Sequence, residues 1–222
     1  MMAWLEFCAA FAVFFLSHSL PVRPAVRSWL QARLGQGGFT LGYSVLSLAV
    51  LAWLIEAAGR APYLPLWGWA AWHALVPLAV MLAVCLILSF SLARPNPFSF
   101  GGTQNDRFDP SQPGIVRFTR HPFLLALALW ATAHIVPNGD LAHVILFGSF
   151  AGFAVLGGRL IDRRKQREMG GNWHDFRNSV AGAPVFSHSI STGGVLRLLA
   201  GLALYAMLLW AHPYLFGVSP LP

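Results

Sequence analysis

Charge is what this sequence has least of. Only 10% of its 222 residues are Asp, Glu, Lys or Arg, against 56% apolar residues, where an ordinary soluble domain carries about 25% charge. So few charges cannot cover a water-facing surface, which excludes a soluble domain even though the length would suit one. Cysteine is nearly absent as well. Cys8 and Cys85 both lie in apolar runs, where a thiol is more often packing material than half of a disulfide or a metal ligand. The sequence also lacks HExxH, paired cysteines, Cys-x-x-Cys-His, a P-loop and Gly-x-Gly-x-x-Gly. A zinc site, covalently attached haem, nucleotide hydrolysis and dinucleotide binding are therefore without support. There is no repeat of solenoid length and no low-complexity tail.

What the sequence does have is long uncharged runs. Residues 34–55, 61–93, 121–139, 141–158 and 198–222 contain no charged side chain. About 20 apolar residues cross the ~30 Å hydrocarbon layer as a helix. The pattern predicts an all-α, polytopic transmembrane bundle forming one domain over 1–222. Its six spans fall near 3–20, 39–58, 73–93, 120–137, 141–160 and 194–212. The N-terminal stretch has no basic n-region and no small-residue cleavage site, so it reads as a first span rather than a removed signal. Val136-Pro137-Asn138-Gly139-Asp140 is turn chemistry between the fourth and fifth spans, with Asp140 as helix N-cap. An antiparallel hairpin is expected there.

The 15 basic residues fix an orientation. Fourteen lie in the connections after the first, third and fifth spans or at the start of the last, and only Arg60 lies on the other side. The positive-inside rule puts those three connections in the cytoplasm and both termini outside. Basic loops beside anionic headgroups account for the net charge of +7 without nucleic acid. Membrane lipids are thus the expected partners. Residues 94–119 are rich in Gly, Pro and Asn and read as an ordered loop over the cytoplasmic mouth. Residues 161–177 begin helical and break at Gly170-Gly171, and Trp173 to Phe186 is expected along the interface. Trp67, Trp69 and Trp72 form an aromatic belt at the outer end of the third span.

Polar side chains inside a membrane are functional candidates by default. His18, His121 and His134 lie in or at the ends of spans. Taken singly, each reads equally well as a helix-end histidine bonded to a carbonyl or water. Together in one small bundle they suit axial ligation of a noncovalent haem, since facing helices commonly build such sites. His143, His174 and His188 are expected at the interface. Arg120 reads either as a site residue or as a snorkelling helix-end cation.

Specific residues then point to a family. Thr119-Arg120-His121-Pro122, Ala128-Leu129-Trp130, Ala133-His134 and Asn138-Gly139-Asp140-Leu141 run in order. With His18 and the AHPYLFGVSPLP ending, this resembles the NnrU family of integral membrane proteins. The wider group includes the 15-cis-zeta-carotene isomerases. The resemblance implies haem b held between His18 and His134, an apolar conjugated substrate, and a multi-pass place in a bacterial cytoplasmic membrane. It also implies a link to nitrite and nitric oxide respiration. Depth along the spans favours a different pairing. His134 stands thirteen residues past His121, about 20 Å along an ideal helix, so depth alone pairs His18 with His121 and groups His134 with His73 and His212. Arg120-His121-Pro122 also resembles the isoprenylcysteine carboxyl methyltransferases. That implies S-adenosylmethionine beside Arg120 and His121, although Asp162-Arg163-Arg164-Lys165 departs from their acidic pattern. A third reading is a non-enzymatic accessory protein of a respiratory complex.

Overall fold

The computed structural model describes residues 2–100, 102–184 and 192–222. His188, and the 185–186 end of the stretch expected along the interface, lie outside them. Among the described residues there are seven α-helices. They are α1 (Met2–Ser19), α2 (Pro24–Arg60), α3 (Trp72–Ser91), α4 (Pro122–Ile135), α5 (Leu141–Met169), α6 (Asn172–Gly182) and α7 (Thr192–Phe216). The only extended pairing among these residues is one isolated bridge between Pro65 and Asp140. Five helices, α1, α2, α3, α5 and α7, are long and apolar enough to cross a membrane. The chain is an all-α polytopic membrane protein.

Apart from longer C-terminal ends on α5 and α7, the elements differ from the expected spans at two places, both for local reasons. α2 starts at Pro24 rather than near 39, with proline at a first-turn position where its missing N–H costs nothing. The long helix is broken at Gly35, which takes φ 70° and ψ 166°, a conformation glycine reaches without a Cβ clash. The basic residues of this segment lie against aromatics. Arg33 sits 4.5 Å from the Trp29 ring and Arg27 5.9 Å from that of Phe39. α4 is the second departure, with 14 residues instead of about 18. Pro122 fixes its first turn, and the residue before a proline avoids helical geometry. His121 accordingly sits at φ −121°, ψ 64°.

The chain forms two compact units. The first holds α1, α2 and the residues around Asp140–Leu146. α1 and α2 run antiparallel around Phe7, Ala10, Leu54 and Ala57, each at most 2% exposed. At one end, Arg60 meets Glu6 at 2.6 Å and Trp53 donates to the same carboxylate. Asp140 N-caps α5, accepting from the His143 backbone N–H at 3.3 Å and pairing with His143 Nδ1 at 2.7 Å. The expected cap is there.

The second unit is built on α3, which packs against both α4 and α7. The α3–α7 contact is close because Gly201 has no side chain. A Cβ there would lie 2.7 Å from Ser89 Oγ and 2.9 Å from Leu86 Cδ2. Arg197 of α7 donates to the Ser89 and Leu92 carbonyls at 2.7 and 2.9 Å, satisfying two groups that the end of α3 leaves unpaired. α4 and α5 form the expected hairpin: His121 lies opposite Asp162, Leu124 opposite Gly157 and Trp130 opposite Phe147 and Phe150.

Beyond the spans, residues 92–100 and 102–121 form a cap with two short 3-10 turns. α5 ends at Met169, Gly170 takes φ 56°, and α6 follows. Trp173 and Val180 of α6 pack on Phe98 and Val116 of the cap, with Phe108, Met169 and Phe176 around them. The apolar face of α6 therefore covers protein, and the cap has a small core of its own.

Candidate functional site

Two arrangements involve the residues singled out from sequence. The first is a polar junction where the cap meets the foot of the α4–α5 hairpin. Arg120 donates from Nε and Nη2 to the two oxygens of Asp162 at 3.1 and 2.6 Å, a bidentate pair. That carboxylate keeps the Arg120 guanidinium protonated beyond its ordinary range. His121 Nε2 meets the same carboxylate at 3.0 Å, while its Nδ1 meets Ser99 Oγ at 2.9 Å. A carboxylate accepts, so Nε2 carries a proton. Both ring nitrogens of His121 are engaged. The ring also rests against α5 at Gly158, where a Cβ would approach His121 Cδ2 to 3.3 Å.

Asn96 ties this junction to the cap. It is 5% exposed. Its Oδ1 accepts from the Phe98 N–H at 3.1 Å, and its Nδ2 donates to the Arg120 carbonyl at 3.0 Å. Its own N–H donates to Asn105 Oδ1 at 2.8 Å. Gly102 makes room, since a Cβ there would lie 2.7 Å from the Asn96 nitrogen. The order Ser99–His121–Asp162 has the form of a hydroxyl–imidazole–carboxylate relay. Ser99 is 7% exposed, however, and lines neither the cavity of about 480 Å³ on α5 nor the one of about 10 Å³ beneath the cap. The relay holds the cap to the hairpin.

The second arrangement is a ring latch repeated on two histidines in separate units. In the first unit, His18 Nδ1 lies 2.8 Å from the Phe14 carbonyl, one turn back on α1, and its ring lies 4.1 Å from that of Phe14. In the second, His134 Nδ1 lies 2.7 Å from the Trp130 carbonyl, one turn back on α4, with the Trp130 and Phe147 rings 5.4 and 5.5 Å away. A backbone carbonyl can only accept, so Nδ1 carries the proton in each. In the neutral imidazole Nε2 then keeps its lone pair, and the ring is held in one orientation. This is the form in which a histidine binds a metal through Nε2.

The remaining histidines differ. His73 Nδ1 accepts from the Ala70 N–H at 3.3 Å. His212 Nδ1 donates to the Val218 carbonyl at 2.8 Å, a contact that reaches forward beyond the helix end. Among the described residues, no group of three or more His, Cys, Asp or Glu side chains could hold a metal ion. The structure thus joins Arg120 and His121 in one site, and it leaves His18 and His134 as two separately latched imidazoles. Sequence reasoning missed Asp162, Ser99 and Asn96. An acid at the head of the basic run 162–165 was the one available signal for Asp162.

Compared with known proteins, residues 6–220 match the profile of the NnrU protein family. No curated protein and no solved structure matches the chain.

Proposed function

From the membership of this chain in the NnrU family, and from its paired ring latches, we propose that it is a membrane protein binding haem b through His18 and His134. The observation that carries this reading is the state of the imidazoles. His18 and His134 are the two whose Nδ1 donates to the carbonyl one turn back, which leaves Nε2 as the ring nitrogen that the neutral imidazole can offer to a metal. His121, the competitor favoured by depth, has each nitrogen in a hydrogen bond to another element. Binding iron through His121 would cost one of those bonds.

Haem b would supply a redox-active iron. The chain's own part would be to fix the two imidazoles in orientation, with the Phe14 ring beside His18 and the Trp130 and Phe147 rings beside His134. Isomerisation of a conjugated substrate, and a role in nitrite or nitric oxide respiration, rest on family resemblance alone. The S-adenosylmethionine reading needs Arg120 open to a cofactor carboxylate. Asp162 already takes the Nε–Nη2 edge of that guanidinium, so the haem reading is preferred.

The test is the reduced-minus-oxidised spectrum of protein purified in detergent from haem-sufficient cells. One haem per chain is expected. His18→Ala and His134→Ala should each convert a six-coordinate spectrum to a five-coordinate one, and His121→Gln should leave it unchanged. His212→Ala tests the other imidazole whose Nδ1 donates to a carbonyl. A protein without a Soret band refutes the reading. Loss on His121→Gln or His212→Ala, with His134→Ala silent, reassigns the ligand.

A further inference from the structure

α5 continues well past the length needed to cross a membrane. Arg163 stands 22 residues beyond Leu141, the first residue of the helix, which is about 33 Å along an ideal helix. The hydrocarbon layer is about 30 Å thick, so Arg163 lies at headgroup depth. Four cations, Arg163, Arg164, Lys165 and Arg167, lie within five residues there, and their circumstances divide them. Arg164 and Lys165 both pair with Glu168, at 2.7 and 2.9 Å. Arg163 and Arg167 have no acidic partner among the described residues. Instead, Arg167 Nε donates to the Arg163 backbone carbonyl at 3.3 Å, which turns the Arg167 side chain back along the helix to the turn that carries Arg163. Like charges one turn apart oppose each other, so this arrangement favours a bound anion.

The same two arginines lie with Gln166 and Leu160 along one open, exposed face of α5. Leu160 is 62% exposed and lies one turn nearer the membrane than Arg163. The site thus has two guanidinium groups and an amide at its polar end, and an aliphatic side chain at its membrane end.

We propose that Arg163 and Arg167 hold the phosphate of an anionic membrane phospholipid, with Leu160 against the start of its acyl chain. Two guanidinium groups suit a phosphodiester in charge and geometry. Leu160 is what selects a lipid over free phosphate, which has no apolar part to bury.

The experiment is native mass spectrometry of the detergent-solubilised full chain with phosphatidylglycerol or phosphatidylcholine at equal concentration. The chain should retain phosphatidylglycerol at least tenfold more than phosphatidylcholine. The R163Q/R167Q double variant should lose that preference, R163K/R167K should regain part of it, and Arg164→Gln should keep it whole. Leu160→Gln should weaken retention several-fold, and millimolar inorganic phosphate should not displace the lipid. Equal losses in Arg164→Gln and R163Q/R167Q would mean a diffuse basic surface and overturn the site. Displacement by phosphate with no effect of Leu160→Gln would mean a free-anion site and overturn the lipid assignment.

Discussion

Replacing Asp162 by Asn removes one negative charge and leaves the shape of the junction intact. The carboxylate receives three hydrogen bonds, two from Arg120 at 3.1 and 2.6 Å and one from His121 at 3.0 Å. Fully exposed pairs are worth about 0–1 kcal/mol, and a hydrogen bond to a charged group contributes about 1.5–3 kcal/mol. The Arg120 and Asp162 side chains are 36% and 26% exposed, between those limits. Asn can still accept once but turns an N–H₂ toward the guanidinium or the ring. We expect Asp162→Asn to cost about 2 kcal/mol, taking a value between the two limits. For a chain of this length that lowers the melting temperature by about 4–8 °C. The assay is thermal unfolding in detergent, read by the reaction of buried Cys85 with a thiol dye. It is run in a Cys8→Ser background, because Cys8 is exposed. Arg120→Gln should cost a similar amount, and the double variant should cost clearly less than the sum. A shift under about 1 °C for Asp162→Asn, or strict additivity in the double variant, would show that the junction carries no coupling energy and refute the reasoning.

Three other substitutions probe the second unit. Gly201→Ala places a Cβ 2.7 Å from Ser89 Oγ and 3.3 Å from the Cys85 carbonyl, and should destabilise by about 1–3 kcal/mol. Gly152→Ala, with nothing within 4 Å of its Cβ, should be neutral or stabilising by up to about 1 kcal/mol; the same thermal assay compares their signs. Asn96→Ala strands the Phe98 N–H and the Arg120 carbonyl, at a cost of about 2–3 kcal/mol. Limited trypsin digestion should then cut faster at Arg107, within the cap, and an unchanged rate would count against Asn96 as the tie.

The parts of this fold legible in the sequence were those set by composition and local signals. Uncharged runs located the membrane helices because burial in lipid leaves few alternatives. Pro137 to Asp140 marked the hairpin turn, and Gly170-Gly171 marked the break before α6, because turn residues act through their own backbone angles. Trp173, Phe176 and Val180 could not be assigned a partner from sequence, since a lipid-facing and a protein-facing apolar stripe look alike. Their partners, Phe98 and Val116, lie 57 to 82 residues before Trp173 and Val180 in the chain. Asp162 was hidden for a related reason. Its partners are 41 and 42 residues away, and no local pattern encodes a contact of that range. The state of each imidazole was equally out of reach, because which ring nitrogen carries the proton depends on an oxygen only the structure positions.

The shortness of α4 bears on how the chain enters its membrane. Its 14 residues reach about 21 Å, less than the ~30 Å a lone helix must cover. A segment that short is a poor independent insertion unit. α4 is paired with α5 along its length and joined to it by Val136 to Asp140 alone. Paired in this way, the two helices are expected to enter the bilayer as one unit. The Pro-Asn-Gly-Asp turn is then a condition of biogenesis as much as of the finished fold, and lengthening it would be felt first in the yield of inserted protein.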